Sequence, residues 1–115
     1  MGFGFCEVGT VTPHEQRGNA KPRVWRLKKD LGAINNYGHN SVGHDCVRAR
    51  MLLRIENEDT SKGLVGVNLG KNAETAEEDA VKDYVLGIRN FVDIADYLVF
   101  NMDLPSTQNV SYFVH

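Results

Sequence analysis

Apolar and polar residues alternate through Phe5-Cys6-Glu7-Val8-Gly9-Thr10-Val11, a run rich in β-formers, which predicts a strand. Residues 12 to 22 are dense in Pro, Gly and Asn and predict an irregular excursion, after which Val24-Trp25-Arg26-Leu27 predicts a short return strand. From residue 44 to about 57 the period changes to that of a helix, with Val47, Met51, Leu52 and Ile55 on one face and Arg48 and Arg54 off it. Leu64 to Leu69 is apolar on both faces, as a buried parallel strand should be. Thr75-Ala76-Glu77-Glu78 has the form of a capping box, opening a helix to about residue 90 with Val81, Tyr84, Val85 and Ile88 on one face. Tyr97 to Phe100 predicts a third core strand. Strands alternating with helices imply right-handed crossovers and a parallel α/β sheet. There is no repeat of fixed period, and residues 105 to 115 read as a loose tail.

Three asparagines sit where strand-like apolar runs end: Asn35 after Ala33-Ile34, Asn68 in Gly66-Val67-Asn68-Leu69, and Asn101 after Leu98-Val99-Phe100. Asparagine is a poor strand former, but its amide offers two donors and an acceptor that do not titrate. At the carboxyl ends of parallel strands, where β/α barrels build their active sites, such amides would converge on one polar, planar ligand. All three should then lie at one end of the sheet and face a common space. For Asn68 and Lys71 a plain strand-to-helix turn is an equal alternative.

Composition narrows the function classes. The chain has 115 residues, about half of the ~250 of a typical β/α barrel. Its net charge of −2 carries no nucleic-acid footprint; Arg23, Arg26, Lys28 and Lys29 form only a local basic patch, read as a solvated loop. No apolar run approaches the ~18 residues of a membrane span, and the N-terminus reads as a strand and not as a targeting peptide, so the expectation for this chain by itself is a cytoplasmic location. Cys6 and Cys46, far apart in sequence, are read as buried reduced thiols of an intracellular protein. His39, His44 and Cys46 match no zinc spacing, so no metal is expected. Gly70-Lys71 lacks the upstream glycine and the Ser or Thr of a phosphate-binding loop, and the Asn109-Val110-Ser111 sequon is read as chance.

Longer motifs point to a family. The run Met1-Gly2-Phe3-Gly4-Phe5-Cys6-Glu7-Val8-Gly9-Thr10-Val11-Thr12-Pro13, then Gly18-Asn19 and Pro22-Arg23-Val24-Trp25-Arg26-Leu27, resembles class 2 dihydroorotate dehydrogenase. Ile34-Asn35 through Ser41, Gly66 through Asn72 and Asp96 through Asn101 continue the resemblance in the same order. It covers residues 1 to 102 and implies a partial β/α (TIM-type) barrel segment with parallel strands, followed by a divergent tail over 103 to 115. It also implies an FMN enzyme that oxidises dihydroorotate to orotate in pyrimidine synthesis, passing electrons to a quinone at the mitochondrial inner membrane. Membrane association would come only through family segments outside this chain. By the same resemblance Thr10, Asn35, Asn68 and Asn101 would contact FMN. Asn35, Asn36, Tyr37, Gly38, His39 and Asn101 would line the dihydroorotate pocket, and Arg26 would stand beside the quinone entry. The flavin carries the redox chemistry, and neutral amides bind its edges without adding charge.

The chain departs from the family pattern in three ways. Where the family has Ser-Ser-Pro-Asn-Thr, this sequence has Asp103-Leu104-Pro105-Ser106-Thr107. The second serine of that run is the family's base; Leu104 has no proton-accepting atom, and Ser106 replaces a substrate-binding asparagine. Asp103 is shifted by one residue and on an extended chain would point to the opposite side. His39 stands where the family has phenylalanine. The 115 residues also omit the family's upstream flavin strand and its later phosphate-binding strands. The alternative reading is therefore a catalytically dead fragment with a structural or binding role at most, poorly stable as an isolated monomer because a part-barrel leaves open edges.

Overall fold

The computed structural model describes residues 3–57 and 63–102. Strands β1 (Phe5–Val11), β4 (Leu64–Leu69) and β5 (Tyr97–Phe100) form one parallel sheet in the order β1-β4-β5, as the periodicity predicts. Between β1 and β4 the chain makes an antiparallel hairpin, β2 (Val24–Leu27) with β3 (Gly32–Asn35), and then helix α1 (His44–Glu56). A turn of 3-10 helix, Glu77–Asp79, leads into α2 (Ala80–Phe91), which connects β4 to β5.

Register decides what each sheet face does. The rung Val8, Val67, Leu98 faces the helices, where Val11, Val47, Met51, Val67, Leu69 and Phe91 form the buried core. The next rung, Glu7, Gly66, Tyr97, faces the other way. That second face is open: Phe5 is 63% and Leu64 57% exposed, with the Phe5 ring set edge-on to Tyr97 at 6.2 Å. In a closed barrel this is the interior. Among the described residues, edges β1 and β5 each carry an unpaired side as well.

The same geometry corrects several expectations. Cys6 is exposed and Cys46 only half-buried, because Cys6 lies on an edge strand that no neighbour covers. On α1 the buried positions are His44, Val47 and Met51, while Ile55 is 47% exposed. The Thr75 capping box does not form. Instead Thr75 donates its hydroxyl to Asp83 Oδ2 at 2.7 Å, an oxygen that also accepts the Asn72 N–H at 2.9 Å. A carboxylate outcompetes neutral acceptors for such donors, and the helix begins through the 3-10 turn without a side-chain cap. The buried face of α2 is accordingly Asp83, Gly87 and Phe91, leaving Val81 and Val85 exposed. Gly87 explains the rotation: a Cβ there would lie 2.8 Å from both terminal methyls of Leu69, so the helix meets β4 at the one residue without a side chain.

His44 gives the fold a pH dependence. Its ring packs edge-on to Phe91 at 5.3 Å, and its Nε2 has no hydrogen-bond partner among the described residues. Burial lowers its pKa from the ordinary 6.5, with the Asp83 and Asp45 charges opposing in part. The unfolded chain therefore takes up this proton first as pH falls, and stability is lost from about pH 6.5 downward. Thermal unfolding followed by circular dichroism should show a midpoint that drops across that window, with a smaller drop in His44→Gln. A midpoint equally flat in both would refute it.

Candidate functional site

At the carboxyl ends of the three parallel strands, side chains from each join one hydrogen-bonded chain. Asn101 Nδ2 donates to Thr10 Oγ1 at 2.9 Å, and Thr10 Oγ1 donates to Asn68 Oδ1 at 3.0 Å. Asn68 Nδ2 donates to Glu7 Oε1 at 2.9 Å. The end of β5 is held by backbone and helix together: Asn101 N–H reaches Leu69 O at 2.8 Å, and the Tyr84 hydroxyl donates to Asn101 O at 2.8 Å. Partial burial, then the Glu77 and Asp83 charges, push the Tyr84 phenol pKa up, so it stays a donor.

Thr10 reaches this chain through a break in the alternation. Val8 pairs with Val67 but Val11 pairs with Leu69, so β1 carries an extra residue between them. Val8 and Val11 both face the helices, and Thr10 turns to the same face as Glu7 and Asn68. Gly9 makes the irregularity possible. Its φ is +142°, and a Cβ there would lie 2.6 Å from Asn68 O.

Beside Thr10 lies a cleft of about 440 Å³, lined by Gly9, Thr10, Tyr37, Gly38, His39 and Asn40. His39 and Thr10 approach each other over Gly70, where an added Cβ would be 2.5 Å from Thr10 Cγ2 and 3.0 Å from His39 Nδ1. The 37–40 wall is pinned from the excursion after β1. Asn19 N–H reaches Tyr37 O at 2.8 Å, Gln16 Nε2 reaches His39 O at 2.6 Å, and Gln16 and Ser41 exchange backbone bonds of 2.9 and 3.0 Å. Asn72 ties that excursion to the β4–α2 turn through both backbone groups of His14 (2.9 and 3.0 Å) and through Gln16 Oε1 at 2.9 Å.

The expected site residues therefore divide. Thr10, Asn68 and Asn101 converge, and Tyr37, Gly38 and His39 line the adjoining cleft. Asn35 does not end a parallel strand: it closes the separate hairpin, and its amide oxygen accepts the Tyr37 N–H at 3.4 Å. Its strand pairs locally with β2, so it never joins the sheet carrying the other two asparagines. Asn36 is engaged by Asn19 Nδ2, through its carbonyl at 3.1 Å and its side chain at 2.9 Å. Arg26 is exposed on β2 opposite Ala33. Arg23, read as solvated, instead donates to Arg17 O at 2.6 Å and Asn19 O at 3.0 Å and lies 4.7 Å over the Tyr37 ring. Lys71 follows the turn reading: it is buried, with Nζ 2.8 Å from Thr75 O and 3.3 Å from Glu77. Leu104, Asp103 and Ser106 lie outside the described residues. Glu7, Gln16 and Asn72 carry contacts that no sequence motif assigned to them; Glu7 was legible only as a polar position of an alternating strand.

No helix among the described residues is long and apolar enough to cross a membrane. Nor do three or more His, Cys, Asp or Glu side chains gather there into a metal-binding group.

Comparison with known proteins agrees with the parallel α/β architecture. The sequence model of the family described as Dihydroorotate dehydrogenase matches residues 1–113, past the boundary expected at 102. The Dihydroorotate dehydrogenase (quinone) of Acidovorax sp. (strain JS42) is 46% identical over 113 residues, 96% of this chain and 32% of that protein. The mouse Dihydroorotate dehydrogenase (quinone), mitochondrial, is 48% identical over 110 residues, 93% of this chain and 27% of that protein. The crystal structure of DHODH in complex with ferulenol from Eimeria tenella superimposes with a TM-score of 0.81 at 44% identity, covering 93% of this chain and 29% of that one. The chain thus spans about a third or less of the length of the curated relatives it matches. It belongs to the dihydroorotate dehydrogenase family, in the class 2 branch whose members are named for their quinone.

Proposed function

We propose that this chain carries part of the flavin and dihydroorotate site of a quinone-linked dihydroorotate dehydrogenase. The observation that supports this is the chain Asn101–Thr10–Asn68 at the carboxyl ends of three parallel strands. Its groups are neutral, its donors and acceptors are fixed by one another, and Thr10 and His39 close over Gly70 so that the chain adjoins the cleft wall. These features fit FMN, which when bound takes the hydride from dihydroorotate and passes electrons to a quinone. The chain's own part is to hold ring edges with Thr10, Asn68 and Asn101 and to wall the substrate side with residues 37–40. Asn35, Asn36 and Arg26 belong to this proposal by resemblance alone. So do the division at residue 102, the substitutions at 103–106 as a divergence inside the matched region, and the mitochondrial inner membrane as the home of the longer protein.

A graft tests it. Residues 1–102 replace the matching third of the Acidovorax relative, and bound flavin is read from visible absorbance. The graft should purify yellow. Asn68→Ala within it should raise the flavin dissociation constant about tenfold or more, the loss of one or two oriented hydrogen bonds. Undiminished flavin in that variant would refute the assignment of Asn68.

A further inference from the structure

We infer that Glu7 is a positioning residue that sets the polarity of the site, resting on the reading of Thr10 and Asn68 as flavin contacts. An asparagine amide can present either end to a neighbour, and Thr10 would accept both arrangements. Glu7 removes that freedom. An ionised carboxylate only accepts, so at 2.9 Å the atom of Asn68 facing Glu7 is the amide nitrogen. Asn68 Oδ1 must then face Thr10, and it takes the Thr10 proton at 3.0 Å. Asn101 supplies a second N–H to Thr10 Oγ1 at 2.9 Å. With its proton committed, Thr10 Oγ1 has only acceptor capacity left beside the cleft, so a ligand atom meeting it there must be an N–H or O–H donor. Glu7 sits one rung below, level with Gly66 and Tyr97, and is not among the residues that line the cleft. Among the described residues Tyr97 on β5 faces it; burial first, and then the Glu7 charge, push the Tyr97 phenol pKa up, which leaves the phenol neutral.

The test uses the 115-residue chain without flavin, so its failure is separate from a failure of the flavin reading. The side-chain amide protons of Asn68 and Asn101 are compared by ¹⁵N-correlated NMR between the wild type and Glu7→Gln at one neutral pH. Glu7→Gln keeps the shape but can donate as well as accept, so both pairs should shift, with an unchanged thermal midpoint. On a Thr10→Val background, which cuts the chain in the middle, Glu7→Gln should still shift Asn68 while Asn101 stays fixed. If Glu7→Gln does not fold, Glu7→Asp replaces it, and its shorter side chain should likewise shift the Asn68 pair. Asn68 signals that are the same with and without the Glu7 substitution overturn the proposal. So does an Asn101 shift that survives on the Thr10→Val background.

Discussion

Dye reduction by this chain, given dihydroorotate and excess FMN, is expected to stay at the level of a flavin-only control, and Leu104→Ser should not raise it. Oxidation of dihydroorotate needs a carbon-bound proton removed, and a positioned base contributes about 10²–10⁴-fold. By resemblance that base is a serine at the position of Leu104, whose side chain has no proton-accepting atom. Restoring serine in the 115 residues alone does not suffice, because they supply about a third or less of the relatives' length and flavin binding depends on many contacts made together. The base is isolated in the graft. Extending it from residue 102 to 113 brings in Leu104 and should cut turnover by about 10²–10⁴-fold with flavin retained. Leu104→Ser in the longer graft should recover most of that loss. Turnover by the chain alone, or an undiminished longer graft, would point to a substitute base such as Asp103 or His39.

Phe91→Ala should abolish the cooperative fold at room temperature. Phe91 is completely buried, meets the His44 ring at 5.3 Å and packs in the core with Val47, Met51 and Leu69. Truncating a buried phenylalanine costs about 3–5 kcal/mol, against about 5–15 kcal/mol of total stability in an ordinary domain. This chain should sit at or below the low end, because its core has few members while Phe5, Leu64, Trp25 and Ile34 remain exposed. Phe91→Leu, which keeps most of the volume, should cost about 1.5 kcal/mol or less. Urea unfolding of the three proteins, followed by circular dichroism, decides the matter; a Phe91→Ala transition as cooperative as the wild type's would refute it.

Local pattern was enough for what local physics controls. The three parallel strands begin and end where alternation and β-branched runs place them, because pleat and burial act residue by residue along the chain. The helices follow from their period in the same way, and the motifs around Asn68 and Asn101 placed both at the carboxyl end of the sheet. Everything that needed a partner distant in sequence was left to the tertiary structure. Asp83 draws the Thr75 hydroxyl away from a helix cap, and Gly87 turns α2 onto Leu69, so the buried face is not the most apolar one. Asn35 pairs within a hairpin, its backbone taken by the antiparallel strand β2 and not by the parallel sheet. Thr10 joins the site only because an extra residue at Gly9 reverses the alternation, and a period of two cannot announce its own interruption. In the sequence Glu7 is only one polar position of an alternating strand; register alone sets it beside Asn68, whose amide nitrogen donates to it.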